Sequence, residues 1–283
     1  MEDPEVYRQR TREAWERAAE GWAAHAERWE PATRPVSQWM ADALEPRPGA
    51  RLLELASGPG DVGLLLAERV KPGGTVVITD GAEPMVEAAK ARAEARGLAD
   101  VVEARAMEAE WIDLPAASVD GVACRWGYML LADPGAALRE TRRVLRPGGR
   151  VALAAWDGPE ANPWSALIGR ALVEGGLAEA PDPAAPGQFA WRERAAIGER
   201  LEDAGFVDVT LDTVSFTLAF PSLDDWWDAQ IDVSPTLRVA LAAADPAQRD
   251  EVMEAAQAAA AEYVRDGGEV VFPAASHVAS AEA

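Results

Sequence analysis

The fold is decided by the stretch Leu52-Leu53-Glu54-Leu55-Ala56-Ser57-Gly58-Pro59-Gly60-Asp61. Its leucines form a short apolar run that is typical of a strand buried on both faces of a parallel sheet. Gly58 and Gly60 follow, and glycine permits backbone conformations that a Cβ would obstruct. Beyond Asp61 the apolar residues recur at helical spacing. The stretch therefore predicts a strand, a glycine turn and a helix N-terminus, which together suit an electron-rich ligand.

Strands and helices alternate through most of the chain. Strand patterns are found at residues 52–55, 75–80, 101–107, 119–126, 150–156, 207–220 and 277–281. Helical patterns lie between the first and second, the second and third, and the fourth and fifth of these strands, and proline or glycine turns mark the boundaries. This alternation predicts a doubly wound, Rossmann-like α/β fold, in which a seven-stranded and mostly parallel sheet has helices on both faces.

Helical segments lie outside this alternation. The pattern is helical over residues 4–44, and we expect Pro31 and Pro35 to interrupt it. Residues 157–190 are rich in proline and contain one short helical stretch, which suggests an insertion over the edge of the sheet. Residues 222–266 are again helical in pattern, so a helical cap is expected before the last strand.

Composition excludes several classes of protein. The 283 residues carry a formal net charge of -21, and residues 151–283 hold 23 acidic against 7 basic residues, so a nucleic-acid partner would be repelled. No apolar run approaches a membrane span and the first residues do not resemble a signal peptide, so a cytoplasmic location is expected. One cysteine and two histidines leave no basis for a metal site, and none is predicted.

The glycine turn fits two kinds of ligand. Residues 58–63 satisfy the G-x-G-x-x-G dinucleotide pattern, and Asp80 lies where the next parallel strand brings a carboxylate to the hydroxyls of a ribose. Glu54, however, places an acid in the strand itself, where negative charge disfavours phosphates. Nor does the sequence contain a Tyr-x-x-x-Lys pair. An acid beside the turn favours a ligand that carries positive charge and no phosphate.

Several stretches together resemble the class I S-adenosylmethionine-dependent methyltransferases, in particular the type 11 family that contains ubiquinone and menaquinone methyltransferases. The resemblance extends from about Trp22 to Trp156. It rests on Leu-Leu-Glu-Leu-Ala-Ser-Gly-Pro-Gly at 52–60, Val-Ile-Thr-Asp at 77–80 with Met85 beyond, Met-Glu-Ala-Glu at 107–110, Ser-Val-Asp at 118–120 and Arg-Val-Leu-Arg-Pro-Gly-Gly at 143–149. It implies S-adenosylmethionine as the cofactor.

The resemblance also implies a role for individual residues. The methionine part of the cofactor is assigned to Glu54 and to the backbone of Ala56, Ser57, Gly58 and Gly60. The ribose is assigned to Asp80, and the adenosine to Gly81 and Met85. The adenine edge is assigned to Glu108 and the Ala109 amide, with Met107 as an apolar wall. Ala56 and Glu108 depart from the family, which more often has glycine and aspartate at these positions.

The resemblance assigns the methyl-transfer region to the tip of the fourth strand, at Cys124, Arg125 and Trp126. Trp15, Trp22 and Trp29 share one face of the N-terminal helix because they are seven residues apart. This face either docks the helix on the core or closes a pocket for a methyl-bearing cation, for which aromatic walls are favourable. In the second interpretation Trp22 contacts the cofactor.

Methyl transfer from a sulfonium is an in-line displacement, to which positioning contributes most. A base helps when the acceptor is a hydroxyl, a phenol or an acidic carbon, and the candidates are His25 and Tyr128. The alternative for His25 is a packing or surface role. Tyr7 is a further candidate, whereas His277 is expected in the terminal strand.

The sequence thus predicts a single domain that methylates a small, apolar or aromatic acceptor. Its parts are an N-terminal helical lid at 1–45, a cofactor-binding core at 46–157, and the rest of the sheet at 158–283 with substrate-cap insertions at 157–190 and 222–275. Two other functions remain open, a non-catalytic S-adenosylmethionine-binding protein and a nicotinamide-dependent oxidoreductase. The protein is expected to be a monomer or a homodimer.

Overall fold

A computed structural model describes residues 3–283 and contains one seven-stranded sheet. The strand order is β3-β2-β1-β4-β5-β7-β6. The strands are β1 Arg51–Glu54, β2 Thr75–Asp80, β3 Val102–Ala106, β4 Val119–Arg125, β5 Leu145–Trp156, β6 Val207–Phe220 and β7 Val270–Glu282. β7 pairs antiparallel with both β5 and β6, whereas the other pairs are parallel. The predicted doubly wound and mostly parallel fold is confirmed.

The centre of the sheet is buried on both faces. Leu53 of β1 lies in register with Val77 of β2 and Val122 of β4, and Val122 with Val151 of β5. All four side chains are inaccessible to solvent. Branched apolar residues suit this position because each packs against a helix layer and against its neighbours in the sheet.

Ten helices surround the sheet among the described residues. They are α1 Pro4–Ala24, α2 Ala26–Ala43, α3 Asp61–Arg69, α4 Glu83–Ala95, α5 Pro134–Val144, α6 Pro163–Glu174, α7 Arg194–Asp203, α8 Leu223–Val233, α9 Pro235–Ala243 and α10 Pro246–Ala260. The last three form the predicted helical cap between β6 and β7. Each of these three helices begins with an N-cap side chain, Ser222, Ser234 or Asp245, that accepts a hydrogen bond from a backbone amide.

The N-terminal helical segment is interrupted, but not at the two prolines where the sequence predicted it. Pro31 and Pro35 lie inside α2, and the break falls at His25, between α1 and α2. Both prolines are exposed on one side of α2, where water can bind the carbonyls that lose an amide partner, while Val36 and Met40 on the other side are buried. Packing of the apolar face therefore maintains the helix.

The terminal strand is longer than its pattern indicated. It begins at Val270, seven residues before the predicted start, and pairs along its length with β6. Residues 270–275 therefore belong to the sheet and not to the cap insertion. Pro273 made the first part of this strand difficult to predict, because proline cannot donate a backbone hydrogen bond to a neighbouring strand.

Candidate cofactor site

A cavity with about 990 Å³ of empty space, partly open to solvent, lies over the carboxyl ends of four neighbouring strands. In sheet order these are β3, β2, β1 and β4. The chain reverses its winding direction between β1 and β4, and ligands of open α/β sheets bind at such a point.

The glycine turn after β1 forms one wall of this cavity. Gly58 has φ 52° and Gly60 has φ 83°, and both values lie in the left-handed region that favours glycine. Gly60 is the N-cap of α3, so the helix begins at the turn. Ala56 also adopts a left-handed conformation, with φ 48°. The glycine common at this position in the family would adopt it with less strain.

Asp80 is held at the end of β2 by two backbone amides. Its Oδ2 accepts from Gly58 N at 2.8 Å, and its Oδ1 accepts from Ala82 N at 2.9 Å. Burial, with a smaller contribution from the nearby Glu108, raises the pKa of this carboxyl to about 6, although the backbone amides oppose the shift. Each oxygen retains a lone pair. The carboxylate is thus oriented to accept two hydroxyl groups, as a ribose would require.

Helix α1 crosses the cavity and binds the acids that follow β3. Arg12 contacts Glu108 through two nitrogens, Nε at 2.9 Å and Nη2 at 2.7 Å from Oε1. Arg8 makes a bidentate pair with Glu110, at 2.9 and 3.1 Å. Glu110 is almost fully buried and also accepts from Asp133 N at 2.6 Å. The carboxylate expected at the adenine edge is therefore already paired with an arginine of α1.

Glu54 does not line the cavity. The side chain is 1% exposed, and its Oε2 accepts from Gly63 N at 2.8 Å in the first turn of α3. Burial raises the pKa of Glu54 to about 8, although Arg125 and the α3 amides favour the charged form. Its position behind the glycine turn makes it a buried partner of the helix N-terminus instead of a surface that faces the methionine part of a cofactor.

Arg125 at the end of β4 lines the cavity and joins three elements. It donates to Thr33 and Ser37 of α2 at 2.8 Å each and to Asp61 of α3 at 2.6 Å. Asp61 also accepts from Arg92 at 2.6 Å. Although burial opposes ionisation, the two arginines hold the pKa of Asp61 below its ordinary value. This network fixes the start of α3 against β4.

Aromatic side chains form the remaining walls. Trp15 and Trp22 of α1 pack against Ala82 and Met85 on the cofactor side. Trp22 Nε1 also donates to Val233 O at 3.0 Å. On the β4 side, Trp126 has φ 61° and stacks on a neighbouring indole. Backbone strain of this kind is concentrated at binding sites. The tryptophan face of α1 both docks the helix and closes the cavity.

The structure brings most predicted cofactor residues to the cavity and leaves others behind it. Those that line it are Trp22, Ala56, Ser57, Gly58, Asp80, Gly81, Met85, Glu108 and Arg125. Glu54, Gly60, Met107, Ala109 and Cys124 do not. Burial raises the pKa of the Cys124 thiol to about 12, so this group stays protonated.

Of the three candidate bases, Tyr7 lines the cavity, whereas His25 and Tyr128 do not. His25 sits at the junction of α1 and α2, where Nε2 is 2.9 Å from Asp232 Oδ2. Tyr128 is buried, with its hydroxyl 2.6 Å from Thr141 Oγ1 and its ring stacked on Trp191, and burial raises its pKa well above the ordinary value. Both predictions are therefore corrected to structural roles. Among residues 3–283, no histidine lines the cavity.

Sequence patterns missed part of the lining. These residues are Arg8, Thr11, Arg12, Pro59, Ala82, Glu110, Gly127, Leu130, Leu131 and Ala132. The spacing of Tyr7, Thr11 and Trp15 places them on one face of α1, a signal that the tryptophan pattern already contained. In the part of the chain that the structure describes, no cluster of potential metal ligands was found, and no helix is long and apolar enough to span a membrane.

The model of a methyltransferase domain family matches residues 53–153. Nocamycin O-methyltransferase from Saccharothrix syringae is 37% identical over 188 residues, which cover 62% of this chain and 66% of that protein. Demethylmenaquinone methyltransferase from Thermus thermophilus is 44% identical over 119 residues, which cover 41% of this chain and 51% of the relative. The chain thus matches less than two thirds of the length of either curated relative.

Solved structures share the fold at low sequence identity. A provisionally assigned methyltransferase from Bacillus halodurans has a TM-score of 0.56 and 21% identity, over 87% of this chain and 97% of that one. The [4+2]-cyclase SpnF has a TM-score of 0.55 and 19% identity, over 90% of this chain and 83% of that one. A cyclase among these neighbours shows that the fold alone does not determine the reaction.

Proposed function

We propose that the protein transfers a methyl group from S-adenosylmethionine to a small molecule, and that residues 53–153, which match the methyltransferase domain model, bind this cofactor. The cofactor supplies a methyl group already activated by the sulfonium charge. This chain's residues then need to bind it, orient the acceptor and exclude water.

The observation that supports this proposal best is the single cavity across β3, β2, β1 and β4. It presents Glu108, Asp80 and the glycine turn in that order along the edge of the sheet. An elongated ligand with an adenine, a ribose and a methionine part matches this sequence of groups. The residues therefore fit the cofactor, with Asp80 holding the ribose and Ala56, Ser57 and Gly58 beside the methionine part.

The β4 side of the cavity remains for the acceptor. Trp126, Leu130 and Leu131 make this side apolar, and Arg125 adds a cation at its edge. Such a surface suits an apolar or aromatic acceptor with one polar reacting group. The names of two relatives include O-methyltransferase and C-methyltransferase, so they support methylation of either oxygen or carbon. We propose in-line transfer as the mechanism, because positioning of the two reactants is enough to promote it.

Calorimetry with S-adenosylhomocysteine tests cofactor binding. Asp80→Ala removes a charged acceptor and is expected to weaken binding about ten- to a hundredfold. Asp212→Ala is the matched control, because this exposed acid lies on β6 away from the cavity. Unchanged affinity in the Asp80 variant would refute the assignment of the ribose to Asp80.

Turnover tests the catalytic part. Incubation with S-adenosylmethionine and a panel of phenols, carboxylic acids, amines and quinones should release S-adenosylhomocysteine with at least one acceptor. Tight cofactor binding without release on any acceptor would favour the non-catalytic alternative. Thermal stabilisation by NADH but not by S-adenosylhomocysteine would favour the oxidoreductase.

A further inference from the structure

Helix α1 is attached to the molecule differently at its two ends. Near its C-terminal end, Gly21 lies so close to α8 that an added Cβ would be 2.2 Å from Asp232 O. Trp22 Nε1 donates to Val233 O, and His25 contacts the Asp232 carboxylate. This end is therefore fixed by backbone-to-backbone packing. The chain turn at His25 lies directly beyond it.

The N-terminal half of α1 is held mainly by polar contacts. Tyr7 donates its hydroxyl proton to Leu130 O at 2.9 Å, Arg8 pairs with Glu110, and Arg12 pairs with Glu108. Each contact joins α1 to a segment at the carboxyl edge of the sheet. Polar contacts of this kind are exchangeable with water, in contrast to the close packing at Gly21.

These contacts cover the cofactor side of the cavity. Tyr7, Arg8, Arg12 and Trp15 line it from α1, opposite Asp80 and Glu108. Helix α1 therefore covers a ligand that binds at Asp80. From Gly21 to Arg8 the helix spans 13 residues, about 20 Å at 1.5 Å per residue, so a small rotation at the fixed end moves Arg8 by several ångströms.

We propose that α1 is a lid that pivots at residues 21–25, and that the Arg8–Glu110 and Arg12–Glu108 pairs are the latch that controls cofactor entry and exit. The inference rests on the proposed function, since it concerns the same cavity. The two pairs contribute unequally. Arg8 and Glu110 are largely buried, whereas Arg12 is 41% and Glu108 30% exposed, so Arg8–Glu110 is the stronger part of the latch.

A latch has a kinetic signature that an ordinary ligand contact lacks. When the closed lid predominates in the free protein, ligand enters only from the open fraction, which lowers the association rate in proportion. Weakening the latch increases that fraction. Association and dissociation therefore both accelerate, and the affinity changes little. Loss of a simple contact to the ligand accelerates dissociation alone.

The experiment is stopped-flow measurement of S-adenosylhomocysteine binding and displacement, followed by tryptophan fluorescence. Arg8→Gln is expected to raise both rate constants about tenfold or more, as for the loss of a charge-assisted hydrogen bond. Arg12→Gln should raise both about two- to fivefold, with the dissociation constant within threefold of the wild type. Arg17→Gln is the matched control on the same helix, because its pairing with Glu13 stays within α1, and its rates should not change.

Circular dichroism first establishes that each variant is folded. If Arg8→Gln is not, because Glu110 loses its charge partner, then Tyr7→Phe and Arg12→Gln carry the test. Faster dissociation with an unchanged association rate, or no change in either rate, would overturn the lid while leaving the proposed function intact. Absence of S-adenosylhomocysteine binding to the wild type would overturn the proposed function, and the lid with it.

Discussion

Gly63 completes the dinucleotide pattern, yet the structure makes it a packing residue. It lies in the first turn of α3, against the end of β1 and β2. An added Cβ would be 2.4 Å from Glu54 Oε2 and 2.6 Å from Ile78 Cγ1, and both neighbouring side chains are buried. Neither can move into free space. Gly63→Ala should therefore strain the contact between α3 and the sheet.

The expected loss follows from two opposing effects. Overpacking in a dense interior costs about 1–3 kcal/mol, and distances this short place Gly63→Ala at the upper end. Replacing glycine by alanine inside a helix stabilises the folded state by up to about 1 kcal/mol, because alanine has the higher helix propensity. The net decrease in the free energy of unfolding is therefore about 2 kcal/mol. Gly169 of α6 is the matched control, because nothing lies within 4 Å of its added Cβ. Gly169→Ala should gain about 0.5–1 kcal/mol.

Urea unfolding and thermal melting of the two variants measure this difference. At about 2–4 °C per kcal/mol for domains of 150–250 residues, Gly63→Ala should melt about 4–8 °C below the wild type, and Gly169→Ala slightly above it. Wild-type stability in Gly63→Ala, combined with lost ligand binding, would refute the reasoning. Gly63 would then be a position where a ligand approaches the backbone.

Three further predictions concern ionisable groups. Because the folded state holds Glu54 with a pKa of about 8, above its ordinary value, the wild type should lose stability as pH rises between about 4.5 and 8. In urea unfolding, the free energy of unfolding of Glu54→Gln should increase relative to that of the wild type by about 1 kcal/mol for each pH unit in this range. The same pH dependence in both proteins would contradict this prediction. Affinity for S-adenosylhomocysteine should fall as pH drops through about 6, where Asp80 is protonated, and Asp80→Asn should abolish that dependence in calorimetry. His25→Ala should leave the affinity within twofold, since His25 contacts Asp232 and not the cavity; a tenfold loss would restore a functional role for His25.

The core of the fold was predictable because its signals are local. The apolar run at 52–55, the acid at the end of 75–80 and the alternation at 207–220 each determine one strand, and the structure has strands at all three places. The methyltransferase domain model confirms the family resemblance over residues 53–153. The carboxyl ends of parallel strands meet at one edge of the sheet. The sequence therefore predicts that Asp80 lies near the glycine turn, although it does not predict their contacts.

The positions of side chains between elements could not be predicted in this way. His25 and Tyr128 have the chemistry of a base, but the direction of each side chain depends on where α8 and α5 pack. Likewise, Arg8 and Arg12 are ordinary charges on an exposed helix until α1 is placed across the cavity. Such residues acquire a role only from long-range contacts, which a pattern within one element does not contain.

Glu54 illustrates how a correct family can follow from an incomplete physical argument. Its acid in the first strand favoured a cationic ligand over phosphates, but the side chain is buried behind the turn, and its raised pKa leaves it largely neutral at pH 7. The carboxylates that line the cavity are instead Asp80, Glu108 and Glu110, at the ends of β2 and beyond β3. Two of these three are paired with arginines of α1, so the field that a cationic cofactor meets depends on the position of that helix. Moving Arg8 and Arg12 away would expose two negative charges to the entering ligand, which would couple electrostatic attraction to the open state of the lid.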